Sequence, residues 1–126
     1  MNELERHSKG MKVRKQVLGK THVERAEARK NKFNAPFQDL ITRYAWGEIW
    51  TRPGLPQKTR SMITIAMMVA LNRPEELKLH LRGCVSTGVS REEIQEVLLQ
   101  TAIYCGVPAA NHAFQIAEEV FAESRA

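Results

Sequence analysis

Apolar residues recur along this chain at three- and four-residue intervals and nowhere alternate with polar ones over a strand's length, so the pattern predicts helices throughout. A first helix is expected from about Asn2 to Leu18, carried by Leu4, Met11, Val13, Val17 and Leu18, weakened in its middle by Gly10 and stopped near Gly19. Thr21-His-Val-Glu24 has the spacing of a capping box and predicts a second, short helix to about Lys30. Phe37, Ile41, Tyr44 and Ala45 fall at helical spacing in a third helix that ends near the segment from Gly47 to Pro53. Trp46, Trp50 and Pro53-Gly54 then mark a structured loop or distorted turn.

After Leu55-Pro56, the run from Ser61 to Leu71 is apolar on every side, which predicts a central helix buried by others. Arg73-Pro-Glu-Glu opens the next helix, with Pro74 in its first turn and carboxylates near the positive end of its dipole, and Gly88 ends it. Ser90-Arg-Glu-Glu93 is a second capping box, followed by Ile94, Val97, Leu98, Thr101 and Ala102 on one face. Ala109, Ala113, Ile116, Ala117 and Val120 line the last helix, and their small size permits close helix contacts. The expected fold is all-α, six or seven helices in short antiparallel pairs, forming one domain over residues 1–126.

Charge divides the chain unevenly. Residues 1–32 hold ten Lys/Arg and four Asp/Glu, net +6, whereas residues 33–126 hold nine and ten, net −1. No aromatic residues interleave with the basic ones, so nucleic acid is not an expected partner, and attraction of a small anionic molecule is the better reading. The longest apolar run is half the length needed to span a bilayer, and no leader-like segment opens the chain, so a cytoplasmic protein without membrane contact is expected. Cys84 and Cys105 are widely spaced and read as reduced, packed thiols.

The candidate chemistry lies in three segments. Tyr104-Cys-Gly-Val-Pro-Ala-Ala-Asn111 breaks an apolar helix at a glycine and restarts it at a proline, leaving small residues that let a ligand or another backbone come close; a plain interhelical turn has the same features. Val107 precedes the proline and is expected to be extended. Glu76 and His80 stand four apart on one helical face, where the carboxylate can orient a proton-transferring imidazole, or where the two simply make a surface contact. Trp46-Gly-Glu-Ile-Trp50, followed by Arg52, can hold a flat ring against charged groups or can be core. A metal site lacks a clustered third ligand, so none is expected.

Together, residues 44–54, Thr59-Arg-Ser61, residues 76–83 and residues 103–114 resemble the carboxymuconolactone decarboxylase family, and the likeness runs from the first helix to Val120. The resemblance implies an alkyl hydroperoxidase D-like helical fold assembled as a ring-shaped homo-oligomer, a trimer or hexamer. The peroxidase branch of that superfamily uses a Cys-x-x-Cys pair, a histidine four residues later and a glutamate on the preceding helix. Here those positions hold Arg73, Glu76, His80 and Ser61, so the dithiol is absent and a redox protein is the lesser alternative. The implied reaction is loss of CO2 from an unsaturated lactone dicarboxylate in protocatechuate breakdown, with no cofactor because the lactone takes up the electrons itself; a related acid is a further alternative. His80 is the implied proton donor, oriented by Glu76. Arg52 or Arg60 is expected to anchor the remote carboxylate, and Glu48, Tyr104, Trp46 and Asn111 are further candidate pocket residues.

Overall fold

In the computed structural model, which describes residues 1–123, those residues fold into helices and turns without a strand. They form two compact units, Met1–Gln57 and the chain from Lys58 onward.

In the first unit Asn2 caps α1 (Glu3–Leu18), its side-chain oxygen accepting from the Glu5 amide at 2.8 Å. Gly19, at φ 92°, ends α1 and also begins α2 (Lys20–Ala28). The capping box expected at Thr21 does not form, because the helix has already started one residue earlier and Thr21 lies inside it. α3 (Ala35–Leu40) runs directly into a π-helix, Ile41–Ile49, which closes with the Trp50 amide donating to the Ala45 carbonyl at 3.0 Å.

This winding corrects two expectations at once. Trp46 belongs to a helix rather than a loop, and the inward face consists of Thr42, Trp46 and Gly47, while Phe37 and Tyr44 of the expected stripe are exposed. One extra residue per hydrogen-bonded turn moves the buried positions off the 3.6-residue register. Trp46 packs with Val13 and Val17 of α1 and stacks on Trp50 at 5.0 Å between ring centroids. α1 lies against the π-helix at backbone contact. A Cβ on Gly10 would sit 1.8 Å from the Thr42 carbonyl oxygen, and one on Gly47 would sit 2.2 Å from that of Arg6. Gly10 is therefore a crossing point rather than a mere weakness in α1.

The second unit holds α4 (Gln57–Ala70), α5 (Pro74–Thr87), α6 (Arg91–Tyr104) and α7 (Val107–Glu123). α5 and α6 both pack on α7. Their shared core is Leu77, Leu81, Cys84, Ile94, Leu98, Ala113, Ile116, Ala117 and Val120, joined by Ile65 and Val69 of α4. The Ser90 capping box is complete: its Oγ accepts from the Glu93 amide at 3.1 Å, and the Glu93 carboxylate accepts from the Ser90 amide at 3.0 Å. Gly106, at φ 101°, supplies the left-handed residue of the α6–α7 joint, and Val107 already begins α7 instead of staying extended.

α4 departs from expectation. Only Ser61, Ile65 and Val69 are buried, and Ile63, Met67 and Leu71 remain 38 %, 53 % and 60 % exposed. The neighbouring helices of one chain cover a single face of α4, and its opposite apolar face stays open.

Candidate active site

α5 places Glu76 in its exposed first turn and His80 one turn further along. Leu77, Leu81 and Cys84 fix the rotation of the helix by anchoring its adjoining face in the core. His80 is half-buried: its Nδ1 is shielded from solvent while part of the residue stays accessible. That mixed environment suits an imidazole that must exchange a proton with a bound molecule. Arg73 immediately precedes α5 and is exposed.

Arg60 lies half-buried on α4, with its Nε shielded from solvent. Tyr104, the last residue of α6, is largely exposed. With Ala66, Met67, Ala70, Gln100 and Cys105 it lines an open apolar depression of about 470 Å³. Asn111 is exposed on α7. The neighbouring His112 lines a water-sized cavity of about 30 Å³ with Asn72, Arg73, Pro74 and Leu77, so of these two adjacent residues it is the histidine that meets the start of α5. Two cavities of about 370 and 290 Å³ flank Arg91 and Phe121, and neither is lined by a candidate site residue.

The first unit positions the other three candidates. Trp46 is core, 7 % exposed. Glu48 is half-exposed and stands 3.9 Å from Arg6. Arg52 follows the π-helix in the exposed turn before Pro53. Part of the N-terminal positive charge is paired internally: Arg6 with Glu3, Lys30 with Asp39 and Glu27, and Arg14 near Glu27, while Arg43 also pairs with Glu3. Both Arg6 and Arg43 also lie over the Tyr44 ring, whose hydroxyl donates to Glu3 at 2.9 Å.

Cys84 is not placed for nucleophilic use. Cys84 is buried, its thiol pushed up to about 12 by desolvation, and it donates to the His80 carbonyl at 3.4 Å. At the position matching the peroxidase branch's glutamate, Ser61 is fully buried and donates to Thr87 Oγ1 at 2.8 Å. Among the described residues no group of three or more His, Cys, Asp or Glu side chains is placed to hold a metal ion, and no helix is long and apolar enough to cross a membrane.

The profile of the carboxymuconolactone decarboxylase family matches residues 35–119. The chain belongs to the carboxymuconolactone decarboxylase family. It is 50 % identical over 121 residues to 4-carboxymuconolactone decarboxylase of Acinetobacter baylyi, covering 96 % of this chain and 90 % of the relative. It is 43 % identical over 110 residues to a nitrosuccinic acid decarboxylase of Metarhizium robertsii, covering 87 % and 77 %. A 48-residue sequence of 4-carboxymuconolactone decarboxylase from Pseudomonas putida matches at 48 % over its whole length and 38 % of this chain. The span matched by the family profile contains every candidate site residue from Trp46 to Asn111, whereas α1 and α2 precede it.

The residue that sequence reasoning missed is Arg14. It is 4 % exposed, donating to Thr42 Oγ1 at 3.2 Å and Gln38 Oε1 at 3.0 Å. Burial lowers its pKa, partly offset by Glu27. A basic residue among many on an N-terminal helix gives no pattern by which one buried member could be told from its exposed neighbours.

Proposed function

We propose that this chain removes CO2 from 4-carboxymuconolactone to give the enol lactone of 3-oxoadipate, a step of protocatechuate catabolism. The observation that carries this reading is the 50 % identity to the Acinetobacter enzyme across nearly the whole of both chains. The bond from the oxygen-bearing ring carbon to its carboxylate breaks, and the electron pair moves through the ring double bond onto the lactone carbonyl oxygen. CO2 departs, and a proton then adds to the carbon next to that carbonyl. The lactone is its own electron acceptor, so the chemistry calls for no cofactor. What the protein must add is stabilisation of the developing oxyanion and a placed proton.

His80, oriented by Glu76 one turn before it, is the proposed donor. Its half-buried position supports the role, because partial burial limits competition from bulk water without isolating the ring. Arg52 or Arg60 is the proposed anchor of the remote carboxylate, since a planar guanidinium holds a planar anion by two bonds. Glu48, Tyr104 and Asn111 are further proposed substrate contacts. The open apolar face of α4, with Ile103 and Tyr104 of α6 also exposed, supports assembly into a homo-oligomer, which a native mass measurement would test.

The deciding experiment supplies the lactone acid and follows CO2 release together with the ultraviolet change of the product. His80→Gln should lower kcat by about 10²- to 10⁴-fold, the usual contribution of a placed general acid. Wild-type turnover in that variant would remove His80 from the mechanism. A second reading, a related acid as substrate, is favoured by the Metarhizium relative, because a nitro group beside the departing carboxylate is likewise an electron acceptor. Nitrosuccinic acid offered in parallel, with kcat/KM compared, separates the two.

A further inference from the structure

The π-helix of Ile41–Ile49 is an improbable conformation for nine consecutive residues, and something must hold it. The backbone contact with α1 supplies part of the restraint, since the Thr42 and Arg6 carbonyls leave no room for a side chain at Gly10 and Gly47. Arg14 supplies a different kind. It lies one turn beyond Gly10 on α1, and its guanidinium forks onto Gln38 in the last turn of α3 and Thr42 in the first turn of the π-helix. The two acceptors straddle the point where the winding changes. Thr42 in turn donates its hydroxyl to the Gln38 carbonyl at 2.8 Å, so all three side chains close on one junction. An apolar residue would fill this buried position without the desolvation that lowers the Arg14 pKa; Glu27, 3.8 Å away, offsets part of that cost, and the fork onto Gln38 and Thr42 is the geometry that the charge specifies here.

We propose that Arg14 is a positioning residue, which fixes the α-to-π junction at Gln38 and Thr42 and thereby sets the direction in which the following segment presents Glu48 and Arg52 to substrate. The inference rests on the assignment of those two side chains to substrate binding. If the segment relaxed to α winding, each side chain after the junction would turn relative to α1, and a bidentate grip on a carboxylate tolerates little misalignment. Arg14 lies ahead of the residues that the family profile matches, whereas its acceptors Gln38 and Thr42 lie within them.

The test uses the full-length protein with Arg14→Met, Arg14→Lys and Thr42→Val, each first confirmed folded by circular dichroism, with Gln38→Leu replacing any that is not. Expected for Arg14→Met is a KM raised at least tenfold with kcat changed less than threefold, a split that general loosening of the fold would not produce. Arg14→Lys, which keeps the charge but loses the fork, should recover only part of the loss. Combining Arg14→Met with Arg52→Lys should cost no more than the worse single change, because both act on one contact. An unchanged KM in folded Arg14→Met, or fully additive losses with Arg52→Lys, would overturn the proposal. Amide hydrogen exchange over residues 41–50 decides independently of activity. Faster exchange in Arg14→Met supports the role and unchanged protection refutes it, so a wild-type chain inactive on the lactone would count against the proposed function alone.

Discussion

Replacing Gly10 with alanine tests whether backbone contact, and not helix propensity, governs α1. Propensity alone predicts a gain of about 1 kcal/mol, since alanine is the better helix former. The structure predicts a loss. The new Cβ would stand 1.8 Å from the Thr42 carbonyl oxygen, with the Gly47 amide nitrogen and Thr42 carbonyl carbon both at 2.9 Å, and every one of these atoms is backbone. Restoring an ordinary 3.4 Å contact means parting the two helices by about 1.6 Å, the difference of those two distances. Overpacking of this kind costs roughly 1–3 kcal/mol. Separation would also stretch the buried Arg14–Thr42 bond, and charge-assisted bonds contribute about 1.5–3 kcal/mol. After subtracting the propensity gain, the net loss should be roughly 1.5–5 kcal/mol, with a midpoint of about 3.

The assay is urea unfolding followed by tryptophan fluorescence. Both tryptophans of the chain, Trp46 and Trp50, lie in the first unit, Trp46 packing against α1, so the signal reports on the unit where the change is made. Gly54→Ala is the control, since its added Cβ meets nothing within 4 Å and should leave stability nearly unaltered. A Gly10→Ala protein as stable as wild type, with Gly54→Ala also neutral, would refute the reasoning.

Arg52→Lys or Arg60→Lys should raise KM for the lactone acid more than about tenfold, or roughly 1.4 kcal/mol, in whichever variant removes the anchor; initial-rate kinetics showing no change in either would reject the assignment. Ser90→Ala removes one half of the capping box and should lower the stability of the second unit by about 1 kcal/mol, read as a reduced midpoint in denaturant at constant slope. Burial raises the Cys84 thiol from 9.0 to about 12, so the folded chain excludes its thiolate. The contribution is intact below pH 9 and is lost as pH climbs from there toward 12, at up to about 1.4 kcal/mol per unit; Cys84→Ala should flatten that decline in alkaline unfolding curves, and an identical slope would contradict it.

Helix ends of the second unit were legible in the chain because local chemistry sets them. Ser90 and Glu93 carry their own reciprocal hydrogen bonds, Pro74 suits a first turn and no other, and Gly88 and Gly106 adopt angles that other residues resist. The Glu76–His80 spacing was legible for the same reason, since a four-residue separation fixes a shared face on any helix. Which face of α4 is covered was not, because eleven residues from Ser61 to Leu71 carry too little polar contrast to point anywhere, and only the arrival of neighbouring helices selects Ile65 and Val69 over Ile63 and Met67.

The tertiary structure alone decided the π-helix. Propensity distinguishes helix from strand but is nearly blind to the difference between four- and five-residue hydrogen bonding. That choice is made by contacts from residues about thirty positions away, the Gly10 backbone and the Arg14 guanidinium, which no local pattern around Ile41 could announce. The chain thus determined by itself where the capped and glycine-ended helices of its second unit begin or stop, and which chemical groups share a face. The packing of one segment on another determined how those groups are wound, aimed and shielded, because burial and backbone approach are properties of pairs of segments and belong to neither one alone.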